Sequence, residues 1–485
     1  MTNRYFIKKP IARIQEEFAQ GQLKRTLGPW NLVSLGIGCI IGAGIFVLTG
    51  KAAAQYAGPA IVYSFMLSGL ACAFAALCYA ELASVLPVSG SAYTYAYATL
   101  GEVIAWAMGW LLVLEYGLSA ATVAVGWSGY IVSFLKDFGL VIPPELTSPY
   151  FNMVDDPAHV GQRIMAATGH FNLPAFLGIM GVTSLLVVGV SESAKVNNVI
   201  VCIKLAVIVT FIAIGAFYVD TANWHPFIPE NTGPNQYGFP GILRAAGVIF
   251  FAYVGFEAVS TAGQEAQNPQ KDMPIGILGS LAVCTLLYIA VSLVLTGIVH
   301  YSKLNVPDPI AVAVDAIGLG WLSFIIKIGA IMGLTSVMLV LCYGQTRIFY
   351  MMGKDGLIPK LFCAIHPKFR TPWINTILVG LVVGVAAGAT PIDVLGDLVS
   401  MGTLFAFCIV CFSVIYLRCK QPDLVRPFRA PGGMVTPILG ILLCGYLIWG
   451  IGGIVFVTLR WYFIGGIVLY FLYGQFHSVL HKEQK

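Results

Sequence analysis

The stretch Gly36-Ile-Gly-Cys-Ile-Ile-Gly-Ala-Gly-Ile-Phe46 sets Gly42, Ala43 and Gly44 side by side near the middle of an apolar run long enough to span a bilayer. Glycine has no Cβ and lowers helix propensity by about 1 kcal/mol relative to alanine. A cluster of it at mid-span invites the helix to open and leave several amides unpaired. In hydrocarbon each such group costs several kcal/mol unless the opening faces a cavity or a ligand. A second apolar run, Ile249-Phe-Phe-Ala-Tyr-Val-Gly-Phe-Glu257, carries a similar interruption. Two interrupted helices in corresponding positions of two halves are the strongest sequence pointer to the substrate site of a secondary transporter.

The chain around these runs has 485 residues, 58% of them apolar and 10% charged, with a mean hydropathy of +0.84. Soluble domains carry roughly 25% charged residues, so the composition defines an all-α polytopic membrane protein. Spans of about 20 mainly apolar residues fall at 31–51, 59–82, 103–132, 173–190, 197–219, 241–262, 275–299, 322–350, 373–390, 394–417, 435–456 and 461–480. That reading predicts twelve transmembrane helices. Residues 1–29 are polar and basic and read as a cytoplasmic segment without a cleavable signal.

A net charge of +5 says less than its placement. With the N-terminus cytoplasmic and twelve alternating spans, nineteen of the 27 Lys and Arg lie on the cytoplasmic side. This asymmetry places both termini in the cytoplasm. The basic loops carry no other sign of a nucleic-acid partner. Eleven cysteines sit in or beside apolar spans, which argues against a disulfide framework. The seven His have neither metal nor triad spacing, so neither an enzyme nor a cofactor site is expected.

Spans 1–5 (residues 30–219) and 6–10 (residues 220–417) each hold an odd number of helices. Two related five-helix units would then lie in opposite orientation, as inverted repeats require. Residues 418–485 add two peripheral spans and a cytoplasmic tail. The longest external loop, 133–172, reads as a partly structured cap. The connection 83–100 has no Lys or Arg and suits a segment packed into the protein.

Two readings of the glycine run stay open. Small residues permit close helix packing, or exposed amides at a half-helix N-terminus bind a carboxylate. Glu115 in span 3, Lys204 in span 5 and Glu257 in span 6 are ionisable groups within spans, each at a cost of at least about 2.5–3.5 kcal/mol. They are candidates for proton coupling, set against structural ion pairing. Lys327 lies near the external end of span 8 and snorkels. Thr335 and Ser336 of span 8 offer hydroxyls to a sodium ion, set against bonding back to their own helix.

Several motifs together resemble the amino acid–polyamine–organocation superfamily, and within it bacterial members of the cationic amino acid transporter family. They are Gly36–Phe46, Glu81–Tyr93, Phe251–Glu257 with Glu265–Pro274, and Gly344–Phe349 with Asp355–Pro359. The resemblance implies a leucine-transporter-type fold with 5+5 inverted repeats, in a bacterial inner membrane, taking up an L-amino acid with protons. It implies that amides of Ile41, Gly42, Ala43 and Gly44 bind the substrate carboxylate. Carbonyls near Ile40 and of Phe250, Ala252 and Tyr253 would take its ammonium. Phe251 matches the aromatic gate, Lys204 the lysine that replaces a sodium ion between spans 1, 5 and 8, and Glu115 the span-3 glutamate facing the substrate. Sodium coupling or exchange on the same fold is the rival mechanism, and a protonated Lys204 would repel sodium. A non-transporting amino acid sensor would typically need a signalling domain beyond residues 1–29.

Overall fold

The computed structural model describes residues 7–10, 25–86, 91–155, 163–189, 194–263 and 265–483. Among them, eight helical stretches are long and apolar enough to cross a membrane. They are Gly44–Val85, Glu102–Asp137, Val196–Tyr218, Gly238–Ala262, Pro269–Ile298, Gly320–Lys354, Ile392–Lys420 and Val455–His477. Four shorter apolar helices accompany them, at Pro29–Ile40, Leu173–Val188, Trp373–Ala389 and Val435–Ile451. The chain is a helical, multi-pass membrane protein.

The helices that position the site are α1 (Pro29–Ile40), α2 (Ile61–Val85), α3 (Ser91–Thr99) and α4 (Glu102–Asp137). After them come α5 (Leu173–Val188), α6 (Ala194–Gly215), α7 (Gly238–Ile249) and α8 (Pro269–Ile298). The series continues with α9 (Pro309–Ala316), α10 (Gly320–Lys354), α11 (Trp373–Ala389), α12 (Ile392–Lys420) and α13 (Val435–Ile451). A uniform first span at 31–51 is not what forms: α1 stops at Ile40 and helix resumes at Gly44.

The expectation of an all-α chain takes one correction. Phe151–Asp155 (β1) and Arg163–Ala167 (β2) pair antiparallel, with Met153 opposite Met165. This ribbon belongs to the loop after α4, outside the apolar runs, where hydropathy carries no signal for it. His159 of that loop, like most of the segment 1–29, lies outside the described residues. The connection 83–100 folds largely into α3, every residue of which is buried.

Packing follows small residues, as expected where lipid removes the hydrophobic drive between helices. The main neighbours are α4 with α10 and α12, α8 with α1 and α2, and α5 with α11. Both terminal segments reach one end of this bundle. There the Glu102 amide donates to the Ile7 carbonyl at 3.0 Å, and the Ser478 hydroxyl donates to the Glu102 carboxylate at 2.5 Å. At the same end the buried Glu81 carboxylate takes the Arg418 guanidinium, with Arg418 Nε at 3.0 Å, and the Ala430 amide at 2.8 Å. The opposite end is tied by Arg244 to Asp397 at 2.5 Å and by Lys51 to Asp393 at 3.3 Å. Lys327 does not simply snorkel: its ammonium meets Asp137 at 2.7 Å.

Candidate functional site

The first break begins where α1 ends. Ile41 leaves the helix with φ −74 and ψ 96, and the chain resumes as a wide turn over Gly44–Leu48. The first amides of a resumed helix have no partner within it, and Gly42, Ala43 and Gly44 supply them. The carbonyls released on the other side are met by Lys204 of α6, which is wholly buried. Its ammonium donates to the Gly38 carbonyl at 2.8 Å and to the Ile41 carbonyl at 3.1 Å. A Cβ on Gly333 of α10 would lie 2.9 Å from Lys204 Cε. Lys204 therefore fills the corner between α1, α6 and α10.

The second break follows α7. Phe250–Tyr253 forms one tight turn, Gly255 adopts φ +124, and a second tight segment runs from Phe256 to Ala262. A side chain at Gly255 is excluded twice, by that backbone angle and by Cys39, whose carbonyl carbon lies 2.8 Å from an added Cβ. Glu257 closes this turn: its carboxylate accepts the Gly255 amide at 3.0 and 2.9 Å. The mid-membrane charge is thus engaged by its own backbone.

Tyr288 of α8 joins the two breaks. Its hydroxyl lies 2.9 Å from the Ile40 carbonyl and 2.9 Å from the Ala252 carbonyl, so one proton serves both. Tyr253 points away from the opening and donates to the Phe65 carbonyl of α2 at 2.9 Å. Sequence reading passed over Tyr288. Its signal was a phenol in the aliphatic run Leu286-Leu-Tyr-Ile289, because a buried tyrosine hydroxyl needs a partner. Arg244 and Asp397 were missed as a pair for a different reason: no spacing relates them.

The glycine run divides its labour. An added Cβ would lie 2.3 Å from Ser280 Oγ at Gly36, 2.9 Å from Asn197 Oδ1 at Gly38 and 2.3 Å from Ala252 Cα at Gly44. Those three permit close packing. At Gly42 the nearest atom is Val337 Cγ1 at 3.5 Å, an ordinary contact. Gly42 marks the opening without being sterically required there.

Glu115 of α4 is buried, and neither carboxyl oxygen has a hydrogen-bond partner among the described residues. The same holds for the hydroxyls of Tyr79 and Thr403. Glu257, Thr403, Tyr79 and Tyr116 all lie close enough to interact with Glu115 electrostatically. Buried polar atoms are seldom left unpaired, which makes this the most concentrated group of unsatisfied polar side chains near the two breaks among the described residues. A cavity of about 630 Å³ leads toward it, lined by Leu27 and Arg370 at the terminal end and by Cys39 and Tyr116. Phe251 is buried and does not line that cavity. Thr335 donates to the Ile331 carbonyl at 2.7 Å and accepts from Trp127 at 2.9 Å, so its hydroxyl is taken up locally. Ser336 is buried beside it.

Broken helices whose freed carbonyls meet a buried lysine and a buried tyrosine are the pattern of a membrane transporter's substrate region. The amino acid permease family matches residues 27–472 of this chain. A methylthioribose transporter of Bacillus subtilis is 46% identical, over 98% of this chain and 99% of its own length. The branched-chain amino acid permease BcaP of Bacillus subtilis is 45% identical, over 99% of this chain and 100% of its own. A chloroplastic cationic amino acid transporter of Arabidopsis thaliana is 40% identical, over 82% of this chain and 67% of its own. The chain belongs to the amino acid permease family, within the amino acid–polyamine–organocation superfamily.

Proposed function

We propose that the protein carries an L-amino acid into a bacterial cell through the inner membrane, by proton-coupled symport with alternating access. The observation that carries this reading is the Lys204 ammonium on the Gly38 and Ile41 carbonyls. A fixed cation there occupies the corner where a coupling sodium ion would otherwise sit, and like charges repel. Desolvation and nearby dipoles tune a buried lysine, so gain or loss of its proton would make or break the brace on α1.

The remaining parts fit the substrate's two ends. The Gly42, Ala43 and Gly44 amides face a carboxylate. A carbonyl has two lone pairs, so Ile40 and Ala252 each retain one for an ammonium beside the Tyr288 hydroxyl. Glu115 is the second candidate for the coupling proton. Glu257 is a weaker one because its turn already engages it. Phe251 is assigned the gate.

The 5+5 repeat is supported by packing that maps onto itself when the halves 30–219 and 220–417 are exchanged. α1–α8 then corresponds to α7–α2, α6–α10 to α12–α4, and α4–α11 to α10–α5. Gly44–Val85 turns back at Gly58–Ala60, so α1 with Gly44–Ala57 makes one crossing and α2 the next, and with the other long and short helices the total is twelve. The cavity opens at the end that holds both termini, which the basic-residue asymmetry assigns to the cytoplasm. The arrangement is then inward-facing, with the Arg244–Asp397 end closed.

The test is uptake into proteoliposomes of a labelled panel of amino acids, with methylthioribose included, under imposed proton or sodium gradients. Uphill amino acid uptake driven by protons is expected, and Lys204→Met should bind substrate yet fail to accumulate it. Accumulation driven by sodium, or wild-type accumulation by Lys204→Met, would overturn the coupling. Uptake of methylthioribose alone would overturn the substrate class, since that sugar offers neither a carboxylate nor an ammonium.

A further inference from the structure

Away from the substrate path, α4, α12 and α13 enclose an outer groove of about 670 Å³. Its walls include Ile104, Phe405, Ile409 and Ile441, and its mouth holds Lys8 and Tyr416. The Lys8 ammonium donates to the Tyr416 hydroxyl and lies 3.9 Å from that ring's centroid. One charged group therefore closes an otherwise aliphatic and aromatic channel.

From Phe405 to Tyr416 the groove follows eleven helical steps of α12, roughly 16 Å of axis at about 1.5 Å per residue. That is about half of the roughly 30 Å hydrocarbon thickness, the depth of a single leaflet. A tyrosine and a lysine mark its polar end, where such residues anchor at the membrane surface.

We propose that this groove holds one acyl chain of an anionic phospholipid whose phosphate rests on Lys8. An ammonium has three donors. With the phenol accepting one, two remain for phosphate oxygens, whose bonds to a cation are short and strong. The apolar walls match a hydrocarbon chain and would not retain a free phosphate. One basic residue near an anionic membrane surface favours binding by about fivefold, which sets the expected headgroup preference. A bound chain would also tie the segment 7–10 to α12 and α13, beside the Glu102 junction that receives both terminal segments.

The test uses the full chain in detergent, with phosphatidylglycerol, phosphatidylcholine and glycerol phosphate as probes, read by native mass spectrometry and melting temperature. Phosphatidylglycerol should stay bound and raise the melting temperature, about fivefold more tightly than phosphatidylcholine. Ile409→Trp fills the groove and should abolish retention of both lipids. Lys8→Gln lies in a terminal segment and should keep the fold while equalising the two. Unchanged retention in Ile409→Trp would overturn the proposal, as would a preference that survives Lys8→Gln. An equal effect of glycerol phosphate would show a phosphate site without a lipid chain and overturn it too.

Discussion

The two broken spans do the same job with different means. At the first break, no residue needs a left-handed backbone: Ile41 simply turns extended, and the freed carbonyls are satisfied from outside by Lys204. At the second, Gly255 at φ +124 makes the turn, and Glu257, two residues on, caps it. The first break is thus held by a hydrogen-bond donor on another helix. The second is built into its own chain. In alternating access a hinge held from outside can be switched by its holder, whereas a self-capped turn acts as a fixed fulcrum.

The sharpest way to break this contrast is Gly255→Ala. A left-handed non-glycine costs about 1–3 kcal/mol, and overpacking against Cys39 adds about 1–3 more. A large drop in melting temperature and loss of uptake are expected; near-normal stability would show that the second break is not rigid. Next comes Gly44→Ala, whose Cβ would lie 2.3 Å from Ala252 Cα. It should cost about 1–3 kcal/mol and most of the transport rate, measured as initial uptake at saturating substrate.

Smaller effects separate the caps. Glu257→Gln keeps an acceptor for the Gly255 amide but removes its charge, so about 1 kcal/mol of stability should be lost with coupling to protons retained. Loss of proton-driven accumulation in that variant would make Glu257 part of the coupling machinery. Tyr288→Phe removes the hydroxyl shared by Ile40 and Ala252, costing about 1 kcal/mol and raising the KM by a few-fold. The smallest effect belongs to Gly42→Ala, where an added Cβ meets only Val337 at 3.5 Å. Its melting temperature should hold or rise slightly, because alanine restricts the unfolded chain. A KM within about twofold of wild type would confine the steric demand to Gly44 and leave the Gly42 amide free to serve the substrate.

Much of this was legible before folding was considered. Hydropathy placed the apolar runs because a bilayer demands a fixed length of them. Glycine marked both interruptions and an isolated carboxylate the second, because each is costly in lipid. Lys204 stood out for that reason too. Hydropathy could not separate α1 from the helix after Gly44, since residues on both sides of the break are equally apolar. Nor could it see the β1–β2 ribbon in a polar loop.

What the sequence by itself determined is therefore where the backbone can open and which charged groups are too deep to be casual. Both are local properties of residue type and position along an apolar run. Only the tertiary structure decided what each opening faces. It gave Lys204 to the first break and Tyr288 to both, turned Glu257 onto the Gly255 amide, and left the Glu115 carboxyl oxygens without a hydrogen-bond partner among the described residues. It also divided one glycine run into three packing contacts and one open position. The Lys204 and Tyr288 contacts to the first break join helices far apart in the chain, Lys204 to Gly38 across 166 residues and Tyr288 to Ile40 across 248. No local pattern encodes such a distance.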